Sequence, residues 1–540
     1  MSGPPGAEPD ADNDDLARQL ARPSAWDADA PGVEWIQTHI SHVFLVGDRV
    51  YKLRKSVRLP FLDFGTRAAR NADCLREVAL NRRLAPSVYL GVAPIVATEA
   101  GPRVGPVGES IEDPGAEHVV VMRRLAAGTD ALARLEAGTL APEHLEAVAR
   151  QLAHFHASHG LGRPAPFDAA AWRARIARPV LDCSRALADS GLVDATRIDR
   201  VEQHIRARLD ALAQAFERRR VEGRAVDGHG DLHLDHVWLE DTSAEPLLID
   251  CLEFDDALRR IDTASELAFL AMDLRYRGHP ELAESLLSDY AARADDYGLF
   301  EVVDFYAAYR ALVRAKVAAL AAGQTSVPEA QRSAARRSLE GHLGLAERLL
   351  EPPAKGALAL LCGTVGCGKS SVARTLVRAG RGIAIASDRV RKHLARLPTD
   401  ARASAAPDTG LYRPEARARV YAAMLERAAP IVASGRVALL DASFTERAER
   451  DRARRWAEES GVEVRLFEVR CDPGIALERL RRREAEGRDP SDAGPDFLAT
   501  SLARYEPPDE WPESTHSIVD TGDAGWAERL IPPAPPAPRR

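Results

Sequence analysis

Cysteine is scarce in this chain of 540 residues: only six are present, and none of them forms a C-x-x-C pair. A disulfide framework is therefore not expected at this length, and the pattern favours a reduced, cytoplasmic compartment. No run approaches the roughly 18 apolar residues of a membrane span. The acidic start MSGPPGAEPDADNDD has no apolar core segment, so it is not typical of a secretory signal or a transit peptide.

An excess of positive charge is also missing. The formal net charge is −8, and this balance does not favour nucleic acid as a partner.

The length exceeds that of one ordinary core, so two or more domains are expected. A Pro-Pro pair in LEPPAKG ends a helical stretch near residue 350. We predict a disordered segment at 1–20, a first domain at 21–350, a second at 351–530 and a disordered tail at 531–540.

The second domain begins with a short apolar strand, and strands and helices then alternate, which predicts an α/β domain with a parallel sheet. Between the first strand and helix stands GTVGCGKS, which matches G-x-x-x-x-G-K-[ST]. Glycines let backbone N–H groups wrap phosphates, the lysine reaches the β- and γ-phosphates, and the serine holds Mg²⁺. The predicted ATP-binding residues are Gly363, Thr364, Val365, Gly366, Cys367, Gly368, Lys369 and Ser370.

Two aspartates follow later strands of this domain. Asp388 comes after the strand IAIAS, where a side chain of a parallel sheet faces the ligand crevice. It is a candidate base for an acceptor hydroxyl, or alternatively only the N-cap of the next helix. Asp441, at the end of VALLDAS, is placed to act near Mg²⁺.

The stretch LERLRRREAEGRDPSD, at 477–492, resembles the lid of small P-loop kinases, in which arginines close over ATP. Arg479 and Arg483 are the candidates, and a plain basic helix is the alternative. From 357 to 520 the chain resembles the P-loop small-molecule kinases, such as the gluconate and shikimate kinases. That resemblance implies ATP binding and leaves the acceptor open.

In the first domain, DGHGDLHLDHVWL at 227–239 is either a metal site built from imidazoles or the catalytic loop of a phosphotransferase. A turn and the strand LLIDCLEF follow, which is the layout of a kinase-type active site. In that layout Asp231 accepts the acceptor proton and Asp250 holds Mg²⁺. The spacing H-x₃-H-x₂-H is not a common zinc pattern, so the kinase loop is favoured.

Upstream residues complete the kinase order. Lys52, in RVYKLRK, is the expected lysine for the α- and β-phosphates, and Glu77 lies on the following helix to hold it. The apolar strand HVVVMRRL then fits the hinge beside adenine, with Met122 as the predicted contact.

These motifs resemble the aminoglycoside phosphotransferase and choline kinase superfamily, and most closely its group fused to a P-loop kinase domain. The resemblance covers about 33–345 and implies an α+β protein-kinase-like fold with a small β-rich lobe and a large helical lobe. Two positions depart from the family pattern. His236 stands where the family has asparagine as a second Mg²⁺ ligand, and no G-x-G-x-x-G precedes Lys52, since HISHVFLVGD contains only Gly47.

We therefore expect an ATP- and Mg²⁺-dependent phosphotransferase with two ATP sites and a small-molecule hydroxyl acceptor, with no membrane partner. The alternative is an ATP-binding regulatory protein in which one domain is a nucleotide-sensing pseudokinase.

Overall fold

A computed structural model describes residues 13–26, 32–59, 62–240, 245–324, 327–398, 409–486 and 494–531. Up to residue 262, the helices and strands are α1 (Asp14–Leu20), β1 (Val33–Gln37), β2 (Ser41–Val46), β3 (Arg49–Arg54), β4 (Arg58–Leu59), β5 (Leu62–Asp63), α2 (Arg67–Asn81), β6 (Tyr89–Thr98), β7 (Gly101–Val104), β8 (His118–Arg123), α3 (Ala131–Glu136), α4 (Pro142–Ser158), α5 (Ala169–Asp189), α6 (Ala195–Ala211), α7 (Ala213–Val221), β9 (Ala225–Asp227), β10 (Val237–Trp238), β11 (Leu247–Leu248), α8 (Asp256–Arg259) and β12 (Arg260–Asp262).

From residue 263 onward they are α9 (Thr263–Tyr276), α10 (Pro280–Ala294), α11 (Val303–Gly323), α12 (Glu329–Leu350), β13 (Ala357–Cys362), α13 (Lys369–Arg378), β14 (Ile383–Ala386), α14 (Ser387–Leu394), α15 (Pro414–Ala433), β15 (Val437–Asp441), α16 (Arg447–Ser460), β16 (Glu463–Arg470), α17 (Pro473–Glu486), α18 (Asp496–Ala503), β17 (His516–Asp520) and α19 (Trp526–Leu530). Within the described residues, no helix is both long and apolar enough to cross a membrane.

The chain divides into two compact units. The first consists of 1–144, 159–161 and 225–262, and the second of 145–158, 162–224 and 263–540. The described part of the first unit contains a six-stranded antiparallel sheet in the order β1-β2-β3-β8-β6-β7. Helix α2 packs against β6 and β8 through a core that includes Cys74, Val78, Val92 and Val120. Thr66 caps this helix by accepting the Ala69 N–H, so α2 begins at Arg67.

The N-terminal segment differs from the prediction. Residues 14–20, predicted to be disordered, form α1, because Ala17 and Leu20 are buried beside Phe44 in the core of the sheet. Residues 1–12 and 532–540, which make up most of the remaining residues predicted to be disordered, lie outside the described residues.

The second unit contains long helices, including α9 to α12, and then the predicted parallel sheet. Five strands run parallel in the order β14-β15-β13-β16-β17, with β13 in the centre. The predicted fold class is confirmed: a β-rich part and a helical part of kinase type are followed by an α/β domain. Helix α12 ends at Leu350, two residues before the first proline of the Pro-Pro pair that predicts its end.

A partly buried ionic cluster joins the helical part of this unit to its parallel-sheet part. Arg436 lies 2.7 Å from Glu284 and 2.9 Å from Asp304, and Arg275 binds the same two carboxylates. Burial opposes ionisation of Asp304, but the two guanidinium groups still hold its pKa below the usual range. Arg427 also lies 2.6 Å from Asp295, at the end of α10. Charged contacts therefore position α10 and α11 beside the parallel-sheet domain.

Candidate functional sites

The first candidate site centres on Lys52, on β3. Its Nζ atom lies 3.0 Å from Oε1 of Glu77, on α2, and 2.8 Å from Oδ1 of Asp250. The structure thus brings together three predicted residues that span 198 positions of the sequence. Lys52 holds the pKa of Asp250 well below its usual range, so this aspartate is ionised at neutral pH. Burial alone would lower the pKa of Lys52, but Asp250 and Glu77 raise it.

Arg54 is a residue of this site that the sequence analysis missed. Because side chains alternate along a strand, it shares the face of β3 that carries Lys52. Its guanidinium is fully buried and lies 2.5 Å from Glu77, 2.7 Å from Glu253 and 2.6 Å from Asp73. Burial raises the pKa of Glu253 to about 7, despite the opposing effect of Arg54. Arg54 therefore neutralises the carboxylates behind the Lys52–Glu77 pair.

Asp250 has an unusual backbone. Its φ angle is 62°, in the left-handed region that few residues other than glycine adopt. Its N–H donates to the Tyr89 hydroxyl at 3.1 Å, and the N–H of Cys251 donates to Asn81 at 2.8 Å. These bonds from α2 and β6 hold the strained residue in place, and such strain concentrates at functional sites.

The first histidine of the loop, His229, makes hydrogen bonds through both of its ring nitrogens. His229 is fully buried, donates through Nε2 to the Ile249 carbonyl at 2.7 Å and accepts the Asp231 N–H at Nδ1. Burial, with His236 nearby, lowers its pKa to about 3, so it is neutral. His229 thus shapes the loop and has no ring nitrogen left for a metal. The side chain of Asp231 is 39% exposed.

His236 lies between Asp231 and Asp250. Its Nδ1 atom is 2.8 Å from the Asp231 carbonyl oxygen, and its Nε2 atom is 3.5 Å from Oδ2 of Asp250. Burial and His233 lower the pKa of His236. Asp231, His233 and His236 also each offer a ligand atom within 4.8 Å of the others, as a metal site would require.

Met122 is buried near the end of β8, where it pairs with Val50 and Tyr89.

The second candidate site is the loop between β13 and α13. Gly363 and Gly368 have φ angles of 153° and 96°, and an added Cβ atom would lie 2.3 Å from the Val469 carbonyl oxygen and 2.9 Å from Thr521, respectively. Only glycine fits these positions. Lys369 donates to the carbonyls of Gly363 and Thr364 at 3.0 and 2.8 Å, so its ammonium group lies over the loop.

Thr521 is a second residue that the sequence analysis missed. Its hydroxyl donates to the Cys367 carbonyl at 2.6 Å, and Arg479 donates to its hydroxyl and carbonyl oxygens, both at 2.8 Å. Arg479 therefore contacts the phosphate loop through Thr521 in this structure. Arg483 lies one helical turn further along α17.

The predicted aspartates lie at the same edge of the parallel sheet. Asp441 ends β15, is buried, and pairs in register with Leu361 of β13 and Ala386 of β14. Ser370 is the second residue of α13, directly after the loop.

Asp388 is the second residue of α14 and accepts a hydrogen bond from Arg391, whose guanidinium lies 4.3 Å from the centre of the Tyr412 ring. The N-cap of α14 is Ala386, so Asp388 lies in the first turn and is not the capping residue.

Comparison with known proteins gives two family matches. The model of the phosphotransferase enzyme family matches residues 39–306, and the model of an AAA domain matches residues 358–508. An uncharacterized protein of Mycobacterium tuberculosis (strain ATCC 25618 / H37Rv) is 34% identical over 509 residues, which cover 93% of this chain and 95% of that protein. A Mycobacterium bovis protein matches with the same identity and coverage. The two-domain order is thus shared along almost the whole length.

Solved structures show more distant likenesses. A choline/ethanolamine kinase family protein from Mesorhizobium loti is 18% identical and covers 63% of this chain and 95% of its own, with a TM-score of 0.37. A gluconokinase from Sinorhizobium meliloti 1021 is 22% identical and covers 33% of this chain and 89% of its own, with a TM-score of 0.23.

Arg54 should be essential for the stability of the first unit. Arg54→Ala removes the cation shared by three buried carboxylates, and breaking a buried ion pair costs about 3–5 kcal/mol. Urea unfolding of the full chain measures this loss. Arg58→Ala is the matched control, because the Arg58–Asp63 pair is exposed and should contribute at most about 1 kcal/mol. Equal losses from the two variants would contradict the assigned role of Arg54.

Proposed function

Because the chain belongs to the phosphotransferase enzyme family and carries an AAA domain in the same polypeptide, we propose that it is a small-molecule kinase with two separate ATP sites. Each site transfers the γ-phosphoryl group of ATP to a hydroxyl acceptor. The proposed catalytic domains are 21–350 and 351–530, in keeping with the two matched ranges. All six cysteines lie among the described residues and none is in a disulfide, which supports a cytoplasmic location.

The observation that carries this proposal is the position of Lys52 between Glu77 and Asp250. A lysine fixed by a helix glutamate beside a metal-binding aspartate is what phosphate positioning requires. In the first site, Lys52 binds the phosphates, Met122 borders adenine, and Asp231 accepts the proton of the acceptor hydroxyl. Asp250 and His236 hold Mg²⁺.

The second site fits ATP equally well. The glycine backbone of the loop forms a cradle that a side chain would fill, and Lys369 lies over it. Lys369 binds the β- and γ-phosphates, Ser370 and Asp441 hold Mg²⁺, and Arg479 and Arg483 close over the nucleotide. When bound, ATP supplies the phosphoryl group and Mg²⁺ offsets its charge. Asp388 accepts the proton of the second acceptor, and Arg391 positions its carboxylate.

Two observations favour a second candidate function. His236 replaces the amide that the family uses as a metal ligand, and only Gly47 stands where the family has a glycine-rich loop. The first domain would then bind ATP and regulate the second without transferring phosphate. Phosphate transfer by a chain that carries Lys369→Ala distinguishes the two candidate functions. Transfer should persist only if the first domain is itself a kinase.

Lys369→Ala should remove one of the two ATP sites. The substitution deletes the ammonium group over the phosphate loop and leaves the glycine turns intact, so the chain should fold normally. Titration of the full chain with a fluorescent ATP analogue should give two sites in the wild type and one in the variant. Lys355→Ala serves as the control, since Lys355 is bound to the Ser460 carbonyl, away from the loop. Two remaining sites in Lys369→Ala would refute the assignment.

Asp388→Asn should lose transfer at the second site and keep ATP affinity. A general base contributes about 10²–10⁴-fold to the rate. The measurement is phosphate transfer to acceptors found by screening, in a chain whose first site carries Lys52→Met. Glu459→Gln, on the exposed surface of α16, provides the matched change of acid to amide. A loss below about threefold would leave Asp388 without a catalytic role.

A further inference from the structure

The tautomer of His236 follows from its hydrogen bond. Nδ1 lies 2.8 Å from the carbonyl oxygen of Asp231, and because a carbonyl only accepts, Nδ1 carries the proton. In the neutral ring, Nε2 then presents a lone pair. A metal-binding histidine usually has this arrangement, with one nitrogen donating to the backbone and the other free for the ion.

The lone pair of Nε2 faces a carboxylate oxygen. Asp250 uses Oδ1 to accept from Lys52 at 2.8 Å, and its Oδ2 atom lies 3.5 Å from Nε2. Nε2 of His236 and Oδ2 of Asp250 are both acceptors, so a cation between these two atoms would satisfy both. Adjacent ligand atoms of an octahedral ion with bonds of roughly 2.1 Å stand about 3 Å apart, and the observed separation is close to this value.

We propose that Asp250 and His236 form a mixed carboxylate–imidazole site that makes the first domain use Mn²⁺ in preference to Mg²⁺ when it binds ATP. This inference rests on the proposed function. Mg²⁺ prefers an all-oxygen shell, whereas Mn²⁺ shares its octahedral preference and, as a first-row transition-metal ion, also binds nitrogen ligands. With only two protein ligands, an octahedral ion keeps positions for phosphate oxygens and water, as a nucleotide-bound metal requires.

A second arrangement of the same loop is less favourable. Asp231, His233 and His236 could together hold a four-coordinate ion such as Zn²⁺. However, the His236 atom near the Asp231 carboxylate is Nδ1, at 3.9 Å, and Nδ1 already donates to a carbonyl. Nδ1 of His233 lies 3.1 Å from Asp235. A metal on Asp231 would also occupy the proposed base, so the site between Nε2 and Asp250 is preferred.

The test uses the full chain with Lys369→Ala, so that only the first site binds nucleotide. Electron paramagnetic resonance of free Mn²⁺, in the presence of a non-hydrolysable ATP analogue, gives the Mn²⁺ affinity, and competition gives that of Mg²⁺. The chain with intact His236 should bind Mn²⁺ more tightly than Mg²⁺, and its preference should exceed that of His236→Asn. Asp250→Ala should abolish Mn²⁺ binding. His236→Asn, which restores an amide oxygen, should reduce the preference for Mn²⁺ and keep nucleotide binding.

His233→Gln is the matched control and should leave Mn²⁺ affinity unchanged. Equal or tighter binding of Mg²⁺ by the chain with intact His236, or an unchanged preference in His236→Asn, would overturn the inference. Metal binding lost in His233→Gln but retained in Asp250→Ala would also overturn the inference, because it would place the ion on Asp231, His233 and His236. If no nucleotide binds with either ion, the proposed function fails as well. If nucleotide binds equally with both ions, only the metal preference fails.

Discussion

The ammonium group of Lys52, held between Glu77 and Asp250, is the interaction on which the first site depends. It joins β3, α2 and the segment that carries Asp250, and under the proposed function it supplies the positive charge that binds the phosphates. Such a group is costly to bury unless its partners are ionised. Arg54 adds a second buried cation, whose guanidinium pairs with Glu77, Glu253 and Asp73 behind the lysine. The left-handed backbone of Asp250, fixed by Tyr89, then directs the second carboxylate to the same point.

The order of the kinase residues could be predicted from the sequence because each stands in a distinctive local pattern. Lys52 lies in a strand, Glu77 in the next helix and Asp250 two residues after a later strand. The phosphate loop was predictable for the same reason, since strand, loop and helix are contiguous. The fold class could be predicted because a helical stretch gives way to alternating strands and helices near residue 350.

Other residues could not be predicted, because their roles arise only in three dimensions. RVYKLRK contains four basic residues, and only packing shows that Arg54 is the one buried against carboxylates. Thr521 lies 154 residues from Cys367, and no local pattern marks its contact with the loop. Helix α1 was missed because its acidic composition hides the buried face of Ala17 and Leu20. The tautomer of His236 likewise depends on a hydrogen bond to the backbone that the sequence does not show.

The central claim is that Lys52, held between Glu77 and Asp250, belongs to an ATP site. The most direct test is the ATP affinity of the full chain carrying Lys369→Ala, measured by calorimetry with and without the added change Lys52→Met. Methionine keeps the length of the side chain and removes its charge. The account predicts that one ATP binds to the first variant and that this binding is lost in the double variant. Unchanged affinity in the double variant, with unchanged folding, would contradict it.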